Sequence, residues 1–247
     1  KTENGVEVRN GGFGSAATAH PTNEGEFYAL TDRGANIKFG SNKIFPTPDY
    51  TPRIGHFKLN TDGTVEMKNE ILFSNPSGEL ISGKPNPEGY GATGEIAYDE
   101  DKVTVLSADK YGLDSEGLVA MKDGSFWVSD EYGPHIVHFD ANGKQIERLS
   151  PKGIKGESGD RKLPAVLETR WANRGMEGLA ITPDETTLVG IMQSTLYNPS
   201  KAEVADFTIT RIVTFDIETG ATKQYLHKQE KAKNSNSEIV ALSNTEF

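Results

Sequence analysis

An acidic phrase recurs along this chain and supplies its best candidates for chemistry. Glu116, Glu177 and Glu238 each stand beside a small residue just before an apolar run, and equal steps of 61 residues separate them. Glu95 opens a shorter version of the phrase. Carboxylates that lie close together raise one another's pKa, and a shared divalent cation keeps them ionised. The pattern predicts a cation site formed by these four glutamates, unless each one caps a turn or accepts backbone N–H bonds instead.

The donor chemistry favours calcium for that site. Calcium takes about six to eight oxygen ligands in flexible geometry, and the chain offers many carboxylates but no cysteine. The lack of cysteine also excludes disulfides, thiolate metal sites and cysteine nucleophiles.

A second set of polar residues follows predicted strands. Asp130 and Glu131 end one strand, Asp32 holds the matching place in an earlier repeat, and Gln193 follows the matching strand of a later one. Because a repeated architectural position tends to keep one residue type, this variation indicates a site. Asp32 is predicted as a cation ligand, and Asp130 and Glu131 as groups that activate water. Asp130 could instead simply form a turn. His135 lies in a loop predicted to cover a central channel, and it is a candidate acid or base.

Three arginines stand beside these acidic phrases. Arg33, Arg170 and Arg174 are predicted to surround the oxygens of a phosphate ester, since the guanidinium fork binds them in a bidentate manner. Each one could instead form a salt bridge with a carboxylate of the cluster.

The elements that must position these groups are β-strands. Residues 115–151 alternate short β-rich runs with turn residues, and they predict a four-stranded blade with strands at 117–121, 126–130, 136–139 and 145–149. Phe126 and Trp127 alternate along the second strand, so one should face each neighbouring blade. Similar units follow Ser15 and Glu177, and a partial one surrounds Glu95. We expect one all-β domain over residues 1–247, a β-propeller of four-stranded antiparallel blades.

Composition narrows the function further. The formal charge of −10 argues against nucleic-acid binding, and no apolar stretch is long enough to span a membrane. The chain begins at Lys1 without a signal peptide, as a processed exported protein or a trimmed chain would. It stops at Phe247 just after a new copy of the phrase, so we expect an incomplete ring whose possible partner is the remainder of its own propeller. Long loops are predicted at 45–48, 75–90 and 150–164.

Three stretches of the sequence resemble one known family. They are DSEGL at 114–118, GSFWVSDEYGP at 124–134 and NRGMEGLAITP at 173–183. Together they are similar to the phytase-like family, described as having esterase-like activity of phytase. The resemblance implies an exported, secreted or periplasmic β-propeller that acts on phosphate esters, and members usually continue beyond the point where this chain stops.

Three functions remain open at this stage. The first is a metal-dependent hydrolase that attacks a small-molecule phosphate ester with cation-activated water. The second is a lactonase or carboxyl-ester hydrolase on the same scaffold, with Tyr132, Trp171 and Tyr197 as apolar walls. The third is a propeller that only binds a ligand, because a scaffold alone does not decide function.

Overall fold

A computed structural model describes residues 2, 4–9, 11–155 and 161–247. In this part of the chain the fold is all-β, with three four-stranded antiparallel sheets, one three-stranded sheet and a short 3₁₀ helix, Ala165–Thr169. The strands are β1 Ala16–Ala19, β2 Glu26–Leu30, β3 Ile37–Phe39, β4 Asn42–Ile44, β5 Arg53–Leu59, β6 Val65–Leu72, β7 Ala97–Tyr98, β8 Ser115–Ala120, β9 Phe126–Asp130, β10 Ile136–Phe139, β11 Gln145–Leu149, β12 Met176–Ile181, β13 Thr187–Met192, β14 Ile209–Asp216 and β15 Thr222–Lys228.

The four-stranded sheets are the predicted blades. Blade 1 has the order β1-β2-β5-β6, blade 2 the order β8-β9-β10-β11, and blade 3 the order β12-β13-β14-β15. In blade 2 the turn between β8 and β9 forms because Asp123 Oδ1 accepts the Ser125 N–H at 2.9 Å, while Gly124 takes a positive φ of 89°. The predicted strands of this blade are confirmed to within two residues at each end.

The innermost strands lie side by side, with β8 between β1 and β12. Hydroxyl groups join the blades: Ser115 Oγ donates to the Thr31 carbonyl at 2.7 Å, and Ser129 Oγ donates to the Glu177 carbonyl at 3.1 Å. Gly117 has no room for a side chain, because a Cβ there would lie 2.6 Å from the Leu179 nitrogen. The repeated phrase therefore brings neighbouring backbones into close contact.

Two apolar layers fill the spaces between blades. One joins blades 1 and 2 and contains Phe126, and the other joins blades 2 and 3 and contains Trp127. Both rings are almost completely buried. The prediction that these two residues face opposite neighbours is confirmed.

The region around Glu95 differs from its prediction. Instead of a partial blade, β7 pairs in parallel with β4, which pairs with β3 in a small separate sheet. Sequence analysis missed β3 and β4 because each has only three residues. In the predicted loop at 150–164, residues 156–160 lie outside the described residues. Across the described ranges, no helix combines the length and apolar character that crossing a membrane requires.

Candidate functional site

Four carboxylates gather where the inner strands of blades 2 and 3 begin, and we refer to Asp114, Glu116, Glu131 and Glu177 as the acid cluster. Carboxylate oxygens of Asp114, Glu116 and Glu131 all lie within 4.8 Å of one another. Glu116 and Glu177 each occupy an irregularity in strand pairing, between Ser115 and Gly117 in β8 and between Met176 and Gly178 in β12. A bulge of this kind re-aims a side chain, so the repeated phrase encodes a repeated bulge that presents a glutamate.

Crowding and burial hold the cluster partly protonated. Burial, followed by the negative charges of Asp114, Glu177 and Asp32, raises the pKa of Glu116 to about 9. Burial is also the main cause that raises the pKa of Glu177 to about 7. Glu131 shares a hydrogen bond with Asp114, and burial together with that negative neighbour raises its pKa well above the usual range. Asp114 and Glu131 therefore favour holding one proton between their two carboxylates.

Two amide side chains fix the cluster. Gln193 Nε2 donates to Glu131 Oε1 and to Glu177 Oε2, both at 2.8 Å. Asn173 Nδ2 donates to Glu131 Oε2 at 2.7 Å from a turn in which Asn173 has a φ of 53°. Sequence analysis assigned neither residue a role. The signal for Gln193 was its alignment with Glu131 in the neighbouring repeat.

Arg33 is the buried counter-charge of this region. Its Nε lies 3.3 Å from Asp114 Oδ2, and its Nη1 lies 3.2 Å from Glu95 Oε1. Nη1 also donates to the Tyr132 hydroxyl at 3.1 Å and to Asn173 Oδ1 at 2.9 Å. Only 6% of the Arg33 side chain is exposed. Arg33 therefore forms salt bridges with Asp114 and Glu95, which was the alternative to a role in phosphate binding. Its side chain separates Glu95 from the acid cluster.

Asp130 lies behind the cluster with no exposed surface. Its Oδ1 accepts the backbone N–H groups of Asp114 and Tyr132, and its Oδ2 accepts that of Gly133. Burial raises the pKa of Asp130, while the positive charge of Arg148 and these backbone bonds oppose the rise. The turn-forming interpretation therefore describes its geometry.

His135 is also fully enclosed. Its Nε2 lies 3.1 Å from the Tyr90 carbonyl and 3.9 Å from Asp130 Oδ2, and its Nδ1 lies 2.9 Å from Ser150 Oγ. Burial first, and then the positive charges of Arg148 and Arg170, hold the pKa of His135 well below its ordinary value. The structure thus encloses His135 among its hydrogen-bonding partners, whereas the sequence predicted that it lies in a loop over the channel.

The two remaining arginines differ in their surroundings. Arg170 donates from Nε to the Tyr132 carbonyl at 2.6 Å and from Nη2 to the Gly91 carbonyl at 2.8 Å, so it holds loops together. Arg174 donates to Ser194 Oγ at 3.0 Å, and its guanidinium lies 5.3 Å from the centre of the Trp171 ring. The positive charge of Arg174 opposes the rise in the pKa of Glu177, so Arg174 acts on the cluster in addition to Arg33.

A cavity of about 860 Å³ opens above the cluster, and we call it the carboxylate cavity. Asp32, Glu116 and Glu177 line it, whereas Asp130, Glu131 and His135 do not. Asp32 is exposed, and its Oδ1 accepts the Gly34 N–H at 2.8 Å. Further lining residues are Val8, Arg9, Gly11, Gly12, Gly14, Ser15, Gly34, Ala35, Thr47, Tyr50, Arg53 and Ser237.

Glu238 approaches the cluster from the C-terminal segment. This segment runs beside β12, because a Cβ on Gly178 would lie 2.7 Å from the Ile239 nitrogen. Glu238 Oε1 accepts the N–H of Ile239, and its negative charge raises the pKa of Glu177. The structure therefore brings Glu116, Glu177 and Glu238 towards one place, as the spacing predicted, and leaves Glu95 behind Arg33.

The donor set of the cluster suits a hard divalent cation. It consists of carboxylate oxygens, which calcium prefers, and three of the carboxylates already lie within 4.8 Å of one another. Arg33 meets the charge of Asp114, and Arg174 acts on Glu177. Among the residues that the structure describes, no cationic side chain pairs with Glu116 or Glu131. A cation would replace the protons that these two groups hold.

Comparison with known proteins identifies related chains. A family model described as "Phytase-like: Esterase-like activity of phytase" matches residues 8–247. An uncharacterized secreted protein of Arthroderma benhamiae is 28% identical over 265 residues, which cover 88% of this chain and 51% of that protein. The chain thus spans about half the length of this curated relative.

Solved structures with a similar chain course have low sequence identity. A structural genomics protein of unknown function from Bacteroides thetaiotaomicron gives a TM-score of 0.41 at 11% identity, covering 92% of this chain and 53% of that one. The periplasmic gluconolactonase PpgL of Pseudomonas aeruginosa gives 0.32 at 10% identity, covering 86% of this chain and 56% of that one.

Proposed function

We propose that this chain, which belongs to the Phytase-like family, is a secreted, divalent-cation-dependent hydrolase of small phosphate esters. The observation that carries the proposal is the acid cluster at the wall of the carboxylate cavity, where Glu116 links the buried carboxylates to open space. We propose secretion because the Arthroderma relative is a secreted protein. Burying acidic groups in contact is costly unless a partner neutralises them, and a cation is such a partner.

Asp114, Glu116 and Glu131 would hold the cation, for which calcium is the proposed identity, and Asp32 would support it from the cavity wall. When bound, the cation supplies positive charge that offsets the carboxylates and polarises a phosphoryl oxygen of the substrate. The protein contributes the geometry, because Gln193 and Asn173 already orient Glu131. Little rearrangement is needed at the moment of reaction.

Glu177 is the proposed general base. It lines the cavity, and a pKa of about 7 suits a group that accepts a proton near neutral pH. Its Oε2 accepts the Gln193 bond, which leaves Oε1 to take a proton from the attacking water. The water oxygen bonds to phosphorus, the ester P–O bond breaks, and the leaving alkoxide takes a proton from solvent. Asp130 and His135, both enclosed, keep the supporting loop in place.

The test is hydrolysis of p-nitrophenyl phosphate and phytate by the purified protein after chelation and after return of calcium, magnesium or manganese. We expect activity that disappears with chelator and returns with calcium. Glu177→Gln should lower kcat by about 10²–10⁴, and Glu116→Gln should abolish the activity that calcium restores to the wild type. Glu66→Gln changes an exposed carboxylate on the outer strand β6 and serves as the matched control. Wild-type protein without phosphatase activity in any of these cations would remove the proposal.

A second candidate, hydrolysis of lactones or carboxylic esters, has one observation in its favour. Arg33 and Arg170 are engaged inside the protein and do not line the cavity, which reduces the positive charge available for a phosphate. Trp171 stacks on Tyr197 with ring centres 5.0 Å apart, but neither ring lines the carboxylate cavity, so the apolar wall predicted from these residues is not at this site. Calcium-dependent turnover of p-nitrophenyl acetate or a γ-lactone without turnover of phosphate esters would favour this function. Turnover of neither, with no calcium binding, would leave a ligand-binding propeller.

A further inference from the structure

The carboxylate cavity also has a basic wall that sequence analysis did not identify. Arg53, the first residue of β5, lines the cavity together with Tyr50. The Arg53 guanidinium carbon lies 5.0 Å from the centre of the Tyr50 ring. Its Nε donates to the Thr51 carbonyl at 3.0 Å and its Nη1 donates to Glu70 Oε2 at 3.3 Å. Among the described residues, Nη2 has no hydrogen-bond partner, and 22% of the side chain is exposed.

The position of Tyr50 is fixed by the same turn that presents Asp32. Gly34 has a φ of 89°, and a Cβ there would lie 2.4 Å from the Tyr50 ring. Only glycine therefore fits, because any side chain would meet both the strained backbone and the aromatic ring. Asp32 Oδ1 accepts the Gly34 N–H. Asp32, Tyr50 and Arg53 are consequently held in a defined arrangement along one part of the cavity wall.

Arg53 differs from the other arginine of this cavity. The Arg9 side chain is 85% exposed and pairs only with Glu7 in the described part of the chain, so it is not held in place. Arg53 stacks on Tyr50 and is held by the two hydrogen bonds that it donates, yet its Nη2 end is available to a ligand. An arginine that is oriented in advance loses less entropy when it binds an anion.

We propose that Arg53, seated on Tyr50, is the residue that recognises the phosphate group of the substrate. The proposal rests on the proposed function, since it assigns the anion-binding side of the same cavity. A phosphate ester that approaches Glu116 and Glu177 meets negative charge, and Arg53 supplies charge-assisted hydrogen bonds to its non-bridging oxygens. Glu70 competes for the same guanidinium from an exposed position, with 35% of its side chain accessible.

The experiment is calorimetric titration of inorganic phosphate into calcium-free protein. We expect Arg53→Met to weaken phosphate binding about 10- to 100-fold, because a hydrogen bond to a charged group is lost, and Arg53→Lys to weaken it less. Glu70→Gln, which frees the guanidinium, should tighten binding. Arg211→Met is the matched control, since Arg211 pairs with Gln224 on blade 3. Phosphate affinity that is the same in wild type, Arg53→Met and Arg53→Lys, or a wild type that binds no phosphate, would overturn the assignment.

Kinetics separate this proposal from the one on which it rests. In p-nitrophenyl phosphate hydrolysis, Arg53→Met should raise KM about tenfold or more and change kcat far less, since the lost interaction is with the bound phosphate. Arg53-dependent phosphate binding by a protein with no hydrolytic activity would support this assignment while refuting the hydrolase. Full hydrolysis with an unchanged KM in Arg53→Met would refute this assignment and leave the hydrolase standing. Unfolding in urea checks that each variant is folded.

Discussion

Glu116→Gln should flatten the dependence of stability on pH in calcium-free protein. The pKa of this glutamate rises from an ordinary value near 4.5 to about 9 in the folded chain. Between these values the folded protein keeps a proton that the unfolded chain has lost, so the folded state is progressively disfavoured as pH increases. Glutamine has the shape of the protonated acid and no proton to lose.

The size of the effect follows from that shift. One group that is protonated when folded and ionised when unfolded changes the free energy of unfolding by about 1.4 kcal/mol per pH unit. Between pH 5.5 and 7.5 the wild type should therefore lose about 2–3 kcal/mol through Glu116. Glu131 and Glu177 contribute slopes of the same sign, since their pKa values are also raised. Calcium, if it binds the acid cluster as proposed, should remove most of this loss.

Urea unfolding at a series of pH values in chelator measures the effect, with Glu66→Gln as control. The difference in slope between wild type and Glu116→Gln is the quantity of interest, because titrating groups outside the acid cluster contribute equally to both. If the two proteins show parallel curves between pH 5.5 and 7.5, Glu116 is ionised without cost. Burial and crowding would then not raise the pKa of Glu116, and the reason for expecting a cation at the acid cluster would be lost.

Other substitutions test how the site is supported, and each is measured as the loss in free energy of unfolding in urea relative to wild type. Arg33→Met should lose about 3–5 kcal/mol, because Asp114 loses its buried counter-charge. A loss below about 1 kcal/mol would mean that water or a cation already compensates Asp114. Gly117→Ala should lose about 1–3 kcal/mol, since the new Cβ would lie 2.6 Å from the Leu179 nitrogen. Trp127→Ala should lose about 3–5 kcal/mol by leaving a cavity between blades 2 and 3. If Gly117→Ala or Trp127→Ala leaves the free energy of unfolding nearly unchanged, the blades are loosely packed.

The blades were predictable because local patterns determine them. Alternating apolar residues and an Asp123-Gly124 turn specify a hairpin within a dozen residues, and the opposite orientations of Phe126 and Trp127 follow from strand geometry alone. The spacing from Glu116 to Glu177 likewise reflects one bulge repeated in the inner strands of blades 2 and 3. No long-range information is needed for these features.

The roles of individual polar residues were not predictable in the same way. Asp130 and Glu131 are adjacent and chemically alike, yet Asp130 accepts three backbone bonds and Glu131 accepts two side-chain amide bonds within the cluster. Arg33 finds partners 62 to 140 residues away, at Glu95 and Asn173. Such assignments depend on how the blades meet, which no window of sequence contains. Arg53 escaped notice because it stands beside none of the repeated phrases.

The convergence of distant segments on a single guanidinium has a consequence for protein engineering. Arg33 ties together chain regions that become neighbours only once blades 1, 2 and 3 have docked. Transplanting the four carboxylates of the acid cluster alone onto another scaffold would leave them repelling one another without the buried positive charge of Arg33. A successful graft must carry Arg33 together with its partners Asn173 and Tyr132. During refolding, cation affinity should therefore develop only when the last of the three blades has docked.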